Sequence, residues 1–314
     1  MRTTRPLAHP SSATVERWAW ATLVANAVII LTGGLVRLTG SGLGCPTWPK
    51  CTSESFVPHS ELGVHGVIEF SNRLLTYVLI AVVVAAFVAV WRWAASTGSL
   101  RWHAGLIAAG VPLQGVIGGI SVLTQLNPWV VALHLVLSMA LVAASMWLVL
   151  RVRAAVDARS VVSPPEATPL VRRLVVATYA VGWVVVWLGT VVTGSGPHAG
   201  DVNAPRNDLS PQTMSHVHAA SVYVLLALTA VLCVVVRSGV VARTARVLLT
   251  VELAQGIIGF VQYYQGLPIA VVALHLIGAA ILVAAATAVL VVTLSPRPAT
   301  DAGHTGARRE SAAV

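Results

Sequence analysis

Residues 114–135 read QGVIGGISVLTQLNPWVVALHL, and residues 255–276 read QGIIGFVQYYQGLPIAVVALHL. Gln114-Gly115-Val116-Ile117-Gly118 matches Gln255-Gly256-Ile257-Ile258-Gly259, and Leu133-His134-Leu135 matches Leu274-His275-Leu276. Both matches share one offset of 141 residues, and each glutamine precedes its histidine by 20. Apolar composition alone does not reproduce such offsets, so the chain reads as an internal repeat. Thr39-Gly40-Ser41-Gly42 and Thr193-Gly194-Ser195-Gly196 are a further echo.

The repeat is set in a chain that is 56% hydrophobic and 10% charged, with mean hydropathy +0.81. A soluble domain carries about 25% charged residues. Eight stretches, near 18–37, 64–91, 102–124, 129–150, 171–193, 213–236, 244–264 and 267–293, reach the roughly 20 apolar residues that a spanning helix needs. The sequence therefore predicts an all-α integral membrane protein of eight transmembrane helices. It predicts two tandem four-helix bundles, at 18–151 and 171–293. Each half has an even number of spans and keeps its orientation, so the halves should be related by a pseudo-twofold axis along the membrane normal. A linker at 152–170 contains Ser163-Pro164-Pro165 and Pro169, which suit a loop. Residues 1–17 read as a cytoplasmic segment and 294–314 as a disordered cytoplasmic tail. The first span lacks a small-residue cleavage site and reads as a retained helix.

A net charge of +9 suggests nucleic acid at first sight. Its placement argues against that partner. With the N-terminus inside, sixteen arginines fall in cytoplasmic segments, against Arg37, Lys50 and Arg206 in outer ones. This is a positive-inside bias. It places a multi-pass protein in the cell membrane, among lipid, with both termini cytoplasmic. Cys45 and Cys51 then lie in the first outer loop, where an oxidising compartment favours a disulfide. Free or redox-cycling thiols are the alternative. Cys233 sits in an apolar helix and reads as packing. Trp18, Trp20, Trp48, Trp91, Trp93, Trp102 and Trp129 read as an interfacial belt.

Ionisable groups at membrane depth are costly and mark function. The candidates are His65, Glu69, Arg73, His134, His216, His218, Glu252 and His275, joined by Asn72. Helices 2, 4, 6 and 8 all run inward. Glu69, Asn72, His134, His218 and His275 fall in one layer, roughly 8–12 Å below the outer surface at 1.5 Å per residue. Two histidines at one depth on different helices can ligate a haem iron from its two faces. In the second half the pair is His218 and His275. His216 is about 200° from His218 around the helix, so only one of them faces the bundle interior; His218 is favoured because it falls closest to Asn72 in the repeat, and His216 is then structural or interfacial. In the first half His134 matches His275, but Asn72 stands where His218 stands. Asparagine is a poor ligand for haem iron, so this half binds haem through one histidine or with a replaceable second ligand. His65, Glu69 and Asn72 share a helix face and should line one cavity. A lone intramembrane histidine often only hydrogen-bonds a neighbouring helix. The repeat argues against that for His134 and His275; for His65 both readings stand. Glu252 reads as a paired structural carboxylate.

Residues 33–51, GGLVRLTGSGLGCPTWPKC, resemble the first outer segment of bacterial haem A synthases. Residues 65–73, HGVIEFSNR, resemble that family's second-helix motif. The histidines of helices 4, 6 and 8 fall where the family has them, and the resemblance covers nearly all of 18–293. It implies oxidation of the C8 methyl of haem O to a formyl group, giving haem A for cytochrome oxidase assembly. It implies haem b on His218 and His275, and substrate haem O on His134 with Asn72, His65 and Arg73 near it. It implies that Glu69 is required for activity and that Cys45 and Cys51 form a disulfide. The implied partners are a haem O synthase as supplier and cytochrome oxidase assembly factors. Homo-oligomerisation is left open. Many members carry histidine where this chain has Asn72, and the Val-, Ala- and Arg-rich composition suits a high-GC Gram-positive source. A dihaem cytochrome b exchanging electrons with quinone is the competing reading, but it predicts two bis-histidine pairs. A prenyl transferase would need Asp-rich motifs, and Asp201 and Asp208 are isolated.

Overall fold

In a computed structural model, residues 9–157 and 167–294 are described. They form eight helices: α1 Ser12–Leu38, α2 Gly63–Arg92, α3 Gly98–Leu123, α4 Pro128–Asp157, α5 Pro169–Ser195, α6 Pro211–Val235, α7 Gly239–Tyr264 and α8 Ile269–Leu294. All eight are long and apolar enough to cross a membrane. The chain is an all-helical, multi-pass membrane protein. The tail from 295 onward and the prolines at 164 and 165 lie outside the described residues.

The helices begin where hydroxyl caps satisfy free N–H groups. Ser11, Thr97, Thr168 and Ser210 accept from the N–H three residues on, in α1, α3, α5 and α6. Pro169 and Pro211 follow two of these caps, where the missing N–H costs nothing. Several helices outrun their apolar stretches. α1 starts at Ser12 rather than 18, and α4 continues to Asp157, taking residues 152–157 from the expected linker. Hydropathy marks only the apolar part of a helix, whereas these polar ends are held by arginines. Arg151 donates to the Ser99 carbonyl at 3.2 Å and the Ser99 hydroxyl at 2.7 Å, and Arg153 pairs with Glu16 at 3.4 Å.

α1 to α4 close a ring of contacts, α1·α2, α2·α3, α3·α4 and α1·α4. α5 to α8 close another, and α1·α8, α4·α8 and α4·α5 join the two. Without a hydrophobic drive between helices in lipid, association rests on close packing and polar contacts. A Cβ on Gly110 would lie 2.7 Å from Leu141, and one on Gly34 would collide with Leu276 of α8. Asn26 in α1 is buried and donates to the Ser145 hydroxyl in α4 at 3.3 Å.

Two tryptophans depart from the interfacial belt. Trp93 is buried in the core at 4% exposure. Trp48 is carried by the loop between α1 and α2 onto α3, where a Cβ on Gly119 would overlap its indole.

Candidate functional site

Each of three histidines rests against a glycine of the preceding helix. An added Cβ on Gly118 of α3 would lie 3.3 Å from the His134 ring. One on Gly189 of α5 would lie 3.3 Å from His218, and one on Gly259 of α7 would lie 3.7 Å from His275. Gly118 and Gly259 close the repeated Gln-Gly motifs, so each motif supplies the seat for the histidine of the next helix. The three residues are half-buried, with Nδ1 of each sealed off; His134 and His275 have no partner there, while the His218 ring lies toward the Val185 carbonyl of α5. The accessible edge of each ring therefore lies away from Nδ1. His218 and His275, on α6 and α8, are near enough to interact electrostatically. Asn72 of α2 takes the fourth such position, its Nδ2 lying 3.8 Å from a Cβ built on Gly33 of α1.

Glu69 faces the loop of residues 40–62. It is buried at 5% exposure. Its Oε2 accepts from the Cys45 backbone N–H at 2.7 Å, and its Oε1 accepts from Arg73 Nε at 3.1 Å and from an Arg73 terminal nitrogen. Arg73 also donates to the carbonyls of Cys45 and Thr47 at 3.0 Å and of Lys50 at 3.1 Å. The i, i+4 ion pair on α2 thus clamps the loop that Cys45 and Cys51 close by a disulfide, with Cα atoms 4.4 Å apart. The same loop seats Trp48 on Gly119, the neighbour of the glycine under His134.

Removing one partner of a buried ion pair leaves the other uncompensated, at about 3–5 kcal/mol. Arg73→Ala is expected to lower the melting midpoint of the purified protein clearly and to expose 45–51 to proteolysis. An unchanged midpoint and an intact loop would contradict the clamp.

His65, Glu69 and Asn72, expected to line one cavity, each make a contact outside α2. Their common face meets α1 and the loop after it. His65 is exposed, and its Nδ1 is 2.9 Å from the Ser41 hydroxyl. Asn72 Oδ1 accepts from the Thr32 hydroxyl at 2.8 Å. His216 is exposed, with its ring 6.4 Å from that of Tyr263. Glu252 has one oxygen paired, accepting from Thr229 at 2.8 Å, while Oε2 is buried without a partner.

Sequence reasoning missed a clasp between the halves. Arg37 of α1 donates to the His198 carbonyl and, at 2.7 Å, to the Thr193 carbonyl. The Gly42 N–H donates to the Gly200 carbonyl at 2.7 Å. His198 Nε2 lies 3.0 Å from the Leu267 carbonyl. These bonds join three loops at the end of the molecule that carries the cysteines. The signal in the sequence is Arg37 two residues before Thr39-Gly40-Ser41-Gly42, where the second copy has Val191.

Among the described residues no group of three or more histidines, cysteines or carboxylates could hold a bare metal ion. The donor set, single imidazoles on separate helices each packed on a glycine, suits an iron that brings most of its own ligands, as a haem would. The residues present fit haem.

A family model described as "Cytochrome oxidase assembly protein", COX15-CtaA, matches residues 16–287. Among curated proteins, the chain is similar to the heme A synthase of Geobacillus kaustophilus, 31% identical over 138 residues, covering 43% of this chain and 42% of that one. It is 27% identical over 222 residues to the heme A synthase of Methylorubrum extorquens, covering 60% and 56%. It is 26% identical over 166 residues to that of Listeria monocytogenes, covering 52% and 54%. The chain spans about half the length of the curated relatives it matches. With a family model matching most of its length, the chain belongs to the COX15-CtaA, or haem A synthase, family of cytochrome oxidase assembly proteins.

Proposed function

We propose that this chain is a haem A synthase, which oxidises the C8 methyl of haem O to a formyl group. The observation that carries this reading is the repeated seating of imidazoles on glycines, complete in the second half and replaced at one position by Asn72 in the first. One half then holds a haem firmly, and the other has one axial imidazole and an open face. That asymmetry suits chemistry on a bound haem better than electron transfer between two equal haems, which is the competing dihaem reading.

In this reading the cysteine-loop end faces outward, and α1–α4 and α5–α8 are the substrate and cofactor halves. His134 orients haem O through its iron, and the clamped loop with Trp48 excludes water from above. Glu69 holds a carboxylate beside the substrate half, where it can accept a proton or stabilise positive charge developing at the methyl carbon. Written with water as the oxygen source, the step is R–CH3 + H2O → R–CHO + 4H+ + 4e−, the electrons leaving to an external acceptor: two hydroxylations give a gem-diol, which loses water to give the aldehyde. His218 and His275 would hold haem b, which supplies one-electron relay when bound. Haem O would come from a haem O synthase, and haem A would pass to cytochrome oxidase assembly.

The test is a purified His134→Ala variant made alongside a haem O synthase. It is expected to retain haem b and lose the farnesylated haem by extraction and chromatography. Retention of the farnesylated haem at the wild-type level would overturn the assignment.

A further inference from the structure

Asn72 is not simply a missing histidine. Its side chain is held in one orientation. The Thr32 hydroxyl lies 2.8 Å from Asn72 Oδ1 and 3.3 Å from the Ile29 carbonyl, so its single proton is better placed for the amide oxygen. An amide whose oxygen accepts presents its NH2 on the other side. Asn72 Nδ2 lies against Gly33, 3.8 Å from where a Cβ would stand, and no described residue accepts a hydrogen bond from it. The amide therefore holds two unused N–H donors on a glycine seat equivalent to those of His134, His218 and His275. An amide nitrogen has no basic lone pair to give to iron, but it is a good donor to a small ligand there.

We propose that Asn72 is a hydrogen-bond donor over the open face of the haem held by His134, and that Thr32 is the positioning residue that aims it. The proposal rests on the first-half haem site set out above. It makes the Asn72 position a device for keeping one face of the substrate haem available and polar. The ligand class it fits is a small oxygen-bearing molecule.

Carbon monoxide bound to the reduced haem is a direct probe, because a donor to its oxygen weakens the C–O bond. The wild-type full chain, loaded with haem, should bind carbon monoxide at one haem only. Asn72→Leu should raise the C–O stretching frequency. Thr32→Val, which keeps the side-chain shape, should give a broadened or split band between the two. Asn72→His should supply a second imidazole and abolish carbon monoxide binding. An unaltered second-half haem spectrum reports that each variant is folded. A C–O stretch unmoved in both Asn72→Leu and Thr32→Val would overturn the proposal. A carbon monoxide-binding haem that survives His134→Ala would instead overturn the site beneath it.

Discussion

Glu69→Ala is expected to stop haem A formation while leaving haem b in place. The side chain is the one carboxylate in the outer layer of α2, buried at 5% exposure and tied at both oxygens. Its removal takes away the charge in α1–α4, the half proposed to take the substrate, and one anchor of the cysteine loop together. Proton transfer by a positioned group contributes typically 10²–10⁴-fold, so turnover should fall at least that far. Glu69→Gln keeps an acceptor for the Cys45 N–H but loses the charge and the ion pair with Arg73. Arg73→Ala breaks the same pair and keeps the carboxylate, so a loss of turnover in both Glu69 variants well beyond that in Arg73→Ala assigns the effect to chemistry. Haem A formation at the wild-type rate in either Glu69 variant contradicts the role.

The second large effect is at His275. His275→Ala leaves His218 alone on its seat at Gly189. A haem with one axial imidazole loses the low-spin spectrum of a bis-imidazole centre. The expected result is loss of the haem b signal from the purified protein, with partial recovery when free imidazole is added. His134→Ala should leave that signal intact. An unaltered haem b spectrum in His275→Ala would remove His275 from the ligand set.

Much of this arrangement is legible in the sequence, for physical reasons. Spanning helices must satisfy every backbone group internally, so apolar runs locate them directly. Polar residues in those runs are conspicuous because the surroundings are uniform. The repeated Gln-Gly and Leu-His-Leu motifs located His134 and His275. The last glycine of each motif proved to be the seat for that histidine, a link that one-dimensional spacing does not reveal. The helix ends were less legible, because Arg151 and Arg153 extend α4 through polar contacts that hydropathy ignores. The loops were least legible. Arg73 binds three loop carbonyls, and Arg37 reaches carbonyls more than 150 residues away; backbone acceptors carry no residue signature. Thr32 is likewise ordinary until the fold sets it against Asn72.

The central claim is conversion of haem O to haem A by this chain. It is tested most directly by expressing the chain together with a haem O synthase in a host that makes no haem A. Membrane haems are then extracted and separated by chromatography. The account predicts haem A in the extract, with haem b retained on the purified protein. Haem O accumulating unchanged, beside a folded protein that holds haem b, would contradict it and favour a cytochrome that only carries electrons.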